Sequence, residues 1–322
     1  MVRGARRSRD RGDRGRYAQG GLGRAHGARS PLTSRPAGGG DGPRLRVAAA
    51  AIDPALGDAD ANLRAAAGAV RVAAEAGAQV VLLPEMWPTS FVPDADDACL
   101  AASAAAVDAL ARVADERGVT VVGSAYGPRA PLPTNRAHVL SGGETLAHYD
   151  KVHLFSPTAE TVAFSAGAHP PPVVVVSGTD VRLAPIVCYD LRFPEVARAA
   201  FRAGAEILAV VAQWPVQRAP HLGALVRGRA AELEGFVVAA NRGGADLVGR
   251  RRMRLAFDGA GVGAAGPSGA ELAPVHEERI EAGDRAPSLV RVFDLDLAEA
   301  RALRRAVPVA RDDRPDVYPR WR

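Results

Sequence analysis

Lysine is almost absent from this chain of 322 residues, in which Lys and Arg together number 41. Lys151 is the single lysine, and all the other residues of this group are arginines. Arginine therefore serves wherever a positive charge is enough. A site that keeps lysine is expected to need the compact charge of an ammonium group, which the planar guanidinium cannot supply. Chance survival of one lysine is the alternative interpretation.

Cysteine, histidine and long apolar runs are also scarce, and each scarcity excludes a class of protein. Two cysteines, Cys99 and Cys188, provide neither a disulfide framework nor a Cys-x-x-Cys metal motif. The seven histidines form no paired-ligand pattern, so we predict no metal and no cofactor. No apolar run approaches the ~18 residues of a membrane span, and we identify no secretory signal. The sequence therefore predicts a cytoplasmic protein that contacts no membrane.

The start of the chain differs in composition from the rest. Residues 1–43 hold ten arginines against three aspartates and few apolar residues, so we expect a disordered Arg/Gly-rich tail. Such a tail could bind nucleic acid through phosphate contacts, but a charge run alone is weak evidence, and we do not predict that partner. Residues 44–322 are assigned to one domain, because the chain is 48% hydrophobic and 24% charged, as globular proteins are.

Apolar segments and Ala-rich amphipathic segments alternate along this domain. Gly142-Gly143 separates two strand-like segments and predicts a hairpin. The alternation favours an α/β layered domain with a mixed sheet. The clearest predicted elements are strands at 44–52, 79–85, 119–127 and 206–214 and helices at 58–78, 95–117, 194–205 and 219–235.

Three predicted strands end in residues that can do chemistry. Glu85 ends VVLLPE, Lys151 follows HYD, and Cys188 ends RLAPIVC. In α/β proteins the carboxyl ends of strands border the crevice that binds ligands. A partly desolvated glutamate there suits a general base, and a cysteine before a helix N terminus is expected to favour the thiolate. The alternatives are a solvated strand-end glutamate and a small buried core cysteine, a role that Cys99 fits better.

The segments around these residues resemble the nitrilase, or carbon–nitrogen hydrolase, superfamily. The resembling motifs are Leu-Pro-Glu at 83–85, Tyr-Asp-Lys-Val-His-Leu-Phe at 149–155 and Cys-Tyr-Asp-Leu-Arg-Phe-Pro-Glu at 188–195. The resemblance implies an α-β-β-α sandwich that pairs into a four-layer homodimer or a higher homo-oligomer. It also implies a catalytic set, whose members are Glu85 as base, Lys151 as oxyanion stabiliser, Cys188 as nucleophile and Glu160 as the second glutamate.

The same resemblance implies a function. The motif at 188–195, Gln213-Trp214-Pro215 and Asn241-Arg242 look like omega-amidases, which hydrolyse 2-oxoglutaramate and 2-oxosuccinamate. We therefore expect a metal-independent, cysteine-dependent amidase that converts a small carboxamide to an acid and ammonia. Other reactions of the superfamily stay open: deaminated-glutathione amidase, carbamoylase or nitrilase. A binding protein that kept the fold without turnover is the remaining alternative.

Four residues are expected to contact the substrate of such an enzyme. The backbone N–H of Tyr189 would share the oxyanion with the lysine, and Trp214 would line the site. Arg192 or Arg242 would bind a substrate carboxylate through two hydrogen bonds. For both arginines an ordinary structural ion pair, for example with Asp190, is an equally open interpretation.

Overall fold

The computed structural model describes residues 42–248, 253–257, 259 and 263–318. Most of the predicted tail lies outside these residues, and its disorder stays a prediction. Its last two residues are described, and the Pro43 carbonyl accepts a hydrogen bond from the backbone N–H of Leu297 at 3.1 Å. No helix within the described ranges is both long enough and apolar enough to cross a membrane.

The first sheet has seven strands: β1 (Arg44–Ala51), β2 (Val80–Leu82), β3 (Thr120–Arg129), β4 (Pro133–Ser141), β5 (Glu144–Asp150), β14 (His276–Ala282) and β15 (Arg285–Asp296). Their order across the sheet is β14-β15-β1-β2-β3-β4-β5. β1 is therefore internal, parallel to β2 and antiparallel to β15. The hairpin predicted at Gly142-Gly143 joins β4 to β5, and both glycines have positive φ, as such a turn requires.

The second sheet has six strands: β6 (Val174–Val175), β7 (Arg182–Val187), β8 (Ile207–Ala212), β9 (Phe236–Asn241), β12 (Gly263–Ala265) and β13 (Glu271–Leu272). Their order is β13-β12-β9-β8-β7-β6. Because β7, β8 and β9 are parallel, their carboxyl ends meet at one edge of the sheet. A separate antiparallel ribbon consists of β10 (Ala245–Val248) and β11 (Met253–Ala256).

The described residues contain seven α-helices: α1 (Ala59–Glu75), α2 (Asp97–Glu116), α3 (Glu160–Ala163), α4 (Pro194–Arg202), α5 (Ala219–Leu233), α6 (Leu297–Ala306) and α7 (Val309–Asp312). Asp58 caps α1, since its carboxylate accepts a hydrogen bond from the Ala61 N–H at 2.9 Å. Asp96 caps α2 in the same way. Pro194 stands at the first position of α4, where its missing N–H would have no intrahelical partner.

The domain has four layers, because both faces of each sheet are apolar and are covered, one by the other sheet and one by helices. Val47 of β1 belongs to the core between the two sheets, together with Ile186 and Val210 of the second sheet. Ala48, the next residue of β1, faces the other way, toward α1 and α2. Helices α4 and α5 pack on β7 and β9 of the second sheet. The predicted α-β-β-α sandwich is therefore confirmed, while its pairing into a dimer stays a prediction.

Candidate active site

Strand β7 delivers Cys188 to the edge of the second sheet. The residue directly follows β7 and begins a 3-10 turn, Cys188–Arg192, that leads to α4. Its φ is +46°, a left-handed conformation that side-chain-bearing residues seldom adopt and that costs about 1–3 kcal/mol. Such strain persists only where surrounding contacts hold the backbone, and it is concentrated at functional sites. The conformation therefore supports the functional interpretation of Cys188 over that of a core cysteine.

Asp190 holds this turn to the segment that carries the lysine. Its carboxylate accepts hydrogen bonds from the Tyr149 hydroxyl at 3.0 Å and from the His153 backbone N–H at 2.9 Å. Burial raises the pKa of Asp190, and the hydrogen bonds from His153 oppose that rise. Because Tyr149 and His153 flank Lys151 in sequence, Asp190 fixes the position of the lysine relative to Cys188. The Asp190 carboxylate is thus bound to Tyr149 and His153, and it forms no ion pair with Arg192 or Arg242.

Lys151 lies between two buried carboxylates. Its Nζ donates to Glu85 Oε1 at 2.8 Å and to both oxygens of Glu160 at 2.8 and 2.9 Å. All three side chains are at most 3% exposed. Burial alone would lower the pKa of Lys151, but the carboxylates of Glu160 and Glu85 outweigh it and raise that pKa above its usual value. The ammonium is therefore charged. We call Glu85, Lys151, Glu160 and Cys188 the charged floor.

Further donors hold the two carboxylates of the charged floor. Asn135 Nδ2 donates to Glu85 Oε1 at 2.8 Å and to Glu160 Oε1 at 3.3 Å. The Phe155 N–H donates to Glu160 Oε2 at 2.5 Å, and the Gln213 N–H donates to Glu85 Oε2 at 2.9 Å. Sequence reasoning missed Asn135. The signal was available, because Asn135 occupies the buried phase of the alternating strand β4.

The environment of Cys188 favours the protonated thiol over the thiolate, contrary to the expectation from the sequence. Burial raises the pKa of Cys188 well above its usual value, and the charge of Glu85 and a hydrogen bond to it add to that effect. Lys151 and the backbone of Gln213 oppose it without reversing it. The expectation was wrong because α4 begins only at Pro194, several residues after the cysteine, so desolvation outweighs the helix dipole.

A cavity of about 480 Å³, partly open to solvent, lies over the charged floor. Trp214 lines it and is held from both sides, because its backbone N–H donates to Asn241 Oδ1 at 2.6 Å and its indole N–H donates to the Arg218 carbonyl at 2.8 Å. The remaining apolar and aromatic lining residues are Phe91, Phe155, Tyr189, Pro215 and Leu255. The structure therefore brings Tyr189 and Trp214 to the cavity, as expected from the sequence.

Two arginines line the cavity above these residues. The Arg192 guanidinium lies 4.7 Å from the centre of the Trp214 ring, and that of Arg218 lies 5.3 Å from the centre of the Phe155 ring. Within the part of the chain that the structure describes, neither guanidinium is ion-paired with a carboxylate. Both charges are thus available to an anion in the cavity. Arg218 was not singled out from the sequence.

The structure does not bring Arg242 to the cavity. The side chain is fully buried and donates to Asp53 Oδ1 at 2.7 Å, to Ser90 Oγ at 3.0 Å and to Gln213 Oε1 at 3.2 Å. The ion-pair interpretation therefore applies, with Asp53 in place of the suggested Asp190. The expected contact between Arg242 and substrate is corrected accordingly, since Gln213, rather than Arg242, lines the cavity.

The donor set of the charged floor differs from that of a metal centre. Among the described residues, no group of three or more His, Cys, Asp or Glu side chains is placed to ligate one ion. The two carboxylates of the floor are instead bound to Lys151. What the arrangement offers chemically is a thiol, a carboxylate within hydrogen-bonding reach of it and a fixed ammonium.

Comparison with known proteins points to one family. Residues 46–286 match the sequence model of the carbon-nitrogen hydrolase family. The chain is 29% identical over 248 residues to the 2-oxoglutaramate amidase of Bacillus subtilis (strain 168), covering 75% of this chain and 87% of that protein. It is 33% identical over 170 residues to the omega-amidase YafV of Escherichia coli (strain K12), covering 53% and 64% of the two chains.

A solved structure gives the same result at the level of the fold. A mutant of the Nesterenkonia AN1 amidase from the nitrilase superfamily superposes with a TM-score of 0.71 at 30% identity, covering 88% of this chain and all of that chain. Another mutant of that amidase carries the acetamide moiety of fluoroacetamide, added covalently at its active-site cysteine, with a TM-score of 0.69, 29% identity and coverage of 86% and 97%.

Proposed function

The chain belongs to the carbon–nitrogen hydrolase family and is an amidase of the nitrilase superfamily, and from this premise we propose that its substrate is a small ω-amide that bears a carboxylate. The proposed substrates are 2-oxoglutaramate and 2-oxosuccinamate. One observation carries the proposal: a buried Glu–Lys–Cys floor lies under a cavity lined by two arginines, Arg192 and Arg218, that have no carboxylate partner among the described residues.

The first half of the proposed reaction forms a thioester. Glu85 accepts the proton of Cys188, and the resulting thiolate attacks the amide carbon. The oxyanion is stabilised by the Lys151 ammonium and the backbone N–H of Tyr189, groups whose individual loss typically costs about 10²–10³ in rate. The protonated Glu85 then donates its proton to the nitrogen as the C–N bond breaks, so ammonia leaves and the acyl group stays on sulfur.

The second half releases the acid. Glu85 accepts a proton from water, whose oxygen attacks the thioester carbon, and the proton returns to the sulfur as the C–S bond breaks. The products are a carboxylic acid, ammonia and the free thiol. Glu160 acts in both halves by holding Lys151 through both of its oxygens, which keeps the ammonium at one point while the charge on the substrate changes.

The proposed substrate preference follows from charge. A carboxylate placed between Arg192 and Arg218 would receive charge-assisted hydrogen bonds, which are about twice as strong as neutral ones. A neutral amide or a simple nitrile would leave both guanidinium groups without a partner in the cavity. The cavity is partly open to solvent, so a small molecule can reach the charged floor. The names of the two sequence relatives favour the same substrate class.

Ammonia release tests the proposal directly. We would measure kcat/KM of the full chain for 2-oxoglutaramate, 2-oxosuccinamate, glutamine, deaminated glutathione, pentanamide and an aliphatic nitrile. Pentanamide is the matched control, because it has a five-carbon amide chain and no carboxylate. We expect at least a tenfold preference for 2-oxoglutaramate or 2-oxosuccinamate over all the others. A tenfold preference for any other compound, ~1.4 kcal/mol in the transition state, would overturn the proposed substrate class.

A further inference from the structure

Gln213 joins the general base to the opposite sheet. Glu85 lies just after β2 of the first sheet, and Gln213 directly follows β8 of the second. The Gln213 backbone N–H donates to Glu85 Oε2 at 2.9 Å, and its side-chain Nε2 donates to the Glu85 carbonyl at 2.8 Å. The Glu85 N–H donates to the Ala212 carbonyl at 3.4 Å. One glutamine therefore fixes both the main chain and the carboxylate of Glu85.

Arg242 determines which way the Gln213 amide points. Its Nη1 donates to Gln213 Oε1 at 3.2 Å. A guanidinium can only donate and a backbone carbonyl can only accept, so just one orientation of the amide satisfies both Arg242 and the Glu85 carbonyl. A rotated amide would place donor against donor and acceptor against acceptor. In a buried place each unmet group costs about 1–3 kcal/mol.

Arg242 is itself held rigidly and away from the cavity. It is 0% exposed, donates to Asp53 Oδ1 at 2.7 Å and lies 4.8 Å from the centre of the Phe257 ring. Burial lowers the pKa of Arg242 and Asp53 opposes that change, and an arginine stays charged in proteins even when its pKa falls. Arg285 Nη2 also donates to Asp53 Oδ1 at 2.7 Å, so Asp53 is paired with a second cation besides Arg242.

We propose that Arg242 is a positioning residue for Glu85 that acts through Gln213. This inference rests on the proposed function in that Glu85 is taken as the base. When Arg242 is lost, the Gln213 amide is free to rotate and the Glu85 carbonyl loses its donor. The main chain that carries the Glu85 carboxylate is then no longer held in one place beside Cys188. Arg242 has no contact with the cavity, so the loss falls on kcat rather than on KM.

Two variants and one matched control isolate this role. Arg242→Met removes the donors to Gln213. Gln213→Glu keeps an acceptor for Arg242 but cannot donate to the Glu85 carbonyl. Arg285→Met is the control, because Arg285 shares Asp53 with Arg242 and does not touch Gln213. We expect Arg242→Met to lower kcat by about 10²-fold, because a displacement of a catalytic group by about 1 Å has an effect of that size. The KM should stay within about threefold of the wild-type value. Arg285→Met keeps kcat within about threefold.

The alkylation of Cys188 by iodoacetamide gives a readout that needs no substrate. The alkylation rate, followed by mass spectrometry, depends on transfer of the thiol proton to Glu85. We expect it to fall in Arg242→Met and Gln213→Glu, as in Glu85→Gln, and to be unchanged in Arg285→Met. If the wild-type chain releases no ammonia from any amide, the proposed function fails, while the alkylation rates still decide the inference. If Arg242→Met does not fold, Gln213→Glu still tests the link, since an unchanged alkylation rate in that variant would show that the Gln213 amide does not position Glu85 and would overturn the inference.

A double-mutant cycle tests whether Arg242 acts through Gln213. Its members are Arg242→Met, Gln213→Met and the variant that carries both changes. If Arg242 acts through Gln213, the double variant loses about as much kcat as the worse of these two single variants. Multiplied losses would show that the two residues act independently, and the inference would be wrong. It would equally be wrong if Gln213→Glu left both kcat and alkylation unchanged, or if Arg285→Met lowered kcat as much as Arg242→Met.

Discussion

The charged floor and the arginine-lined part of the cavity above it treat charge in opposite ways. On the floor, Lys151 is almost fully buried and bound to two carboxylates, so its charge is satisfied before any ligand arrives. Above it, Arg192 and Arg218 contact aromatic rings and, among the described residues, no carboxylate. The floor is thus organised in advance for one reaction, whereas the arginines lack a partner that an anionic substrate would supply. Changes on the floor should abolish turnover, and changes at the arginines should alter substrate choice.

The largest expected effect is that of removing the thiol from the floor. Cys188→Ala should lower kcat by at least about 10⁴-fold, as the loss of a covalent nucleophile does, while the fold is kept. Ammonia release and circular dichroism would measure the two quantities. Cys99→Ala is the control and should keep wild-type activity, because Cys99 lies in α2 outside the cavity. Equal losses from both variants would contradict the assignment of Cys188.

The next largest effect is expected when the ammonium becomes a guanidinium. Lys151→Arg should lower kcat/KM by about 10²-fold, nearly as much as Lys151→Ala, despite keeping the charge. The flat, larger group cannot occupy the point that lies 2.8 Å from both Glu85 and Glu160. If Lys151→Arg keeps more than about a tenth of kcat/KM, the loss is under ~1.4 kcal/mol and the argument for a compact charge is wrong.

A smaller and selective effect is expected at the arginines. Arg218→Gln should lower kcat/KM for 2-oxoglutaramate about tenfold, the loss of roughly one charge-assisted hydrogen bond, and leave pentanamide unchanged. Arg227→Gln is the control, since Arg227 is exposed on α5 and does not line the cavity. If kcat/KM fell equally for 2-oxoglutaramate and for pentanamide, Arg218 would not act on the substrate carboxylate as proposed.

The smallest expected effect concerns the protonation of the floor. Because burial and Glu85 raise the pKa of Cys188, the thiolate forms only as the pH rises beyond the usual range of a thiol. The thiolate absorbance of the wild type minus that of Cys188→Ala should therefore stay near zero from about pH 6 to about pH 8.5. A thiolate signal at neutral pH would show that the pKa of Cys188 is lowered, as the sequence had led us to expect from the nearby helix N terminus.

Three members of the charged floor could be predicted from the sequence because each stands at a simple structural landmark, whereas Glu160 came from the resemblance alone. Glu85, Lys151 and Cys188 each come after the end of a strand, and strand ends border the crevice that binds ligands. Asn135 was missed although its place in the buried phase of β4 was a usable signal. The backbone N–H of Gln213 was missed because its role depends on how the two sheets face each other. The neutrality of the thiol was missed for a similar reason, since the sequence displays a nearby helix but not the burial that outweighs it.

The fold was predictable where elements were long. The helices at 58–78 and 95–117 appear as α1 and α2, a few residues shorter at their ends. The strand expected at 79–85 covers only Val80–Leu82, because Pro84 has no N–H to donate to a ladder. The short strands β6 and β13 have two residues each and therefore show no alternation that a sequence pattern could reveal.

The pairing of β1 with β15 has a consequence for biosynthesis. β1 takes its partner from the far end of the chain, since Arg44 lies opposite Asp296 and Ala51 opposite Leu289. On the ribosome, one edge of this apolar strand therefore stays unpaired until Arg285–Asp296 have been made. Pairing between such distant residues is slow, and an exposed edge invites association with other chains. The nascent enzyme should depend on chaperones until β15 emerges and closes the first sheet.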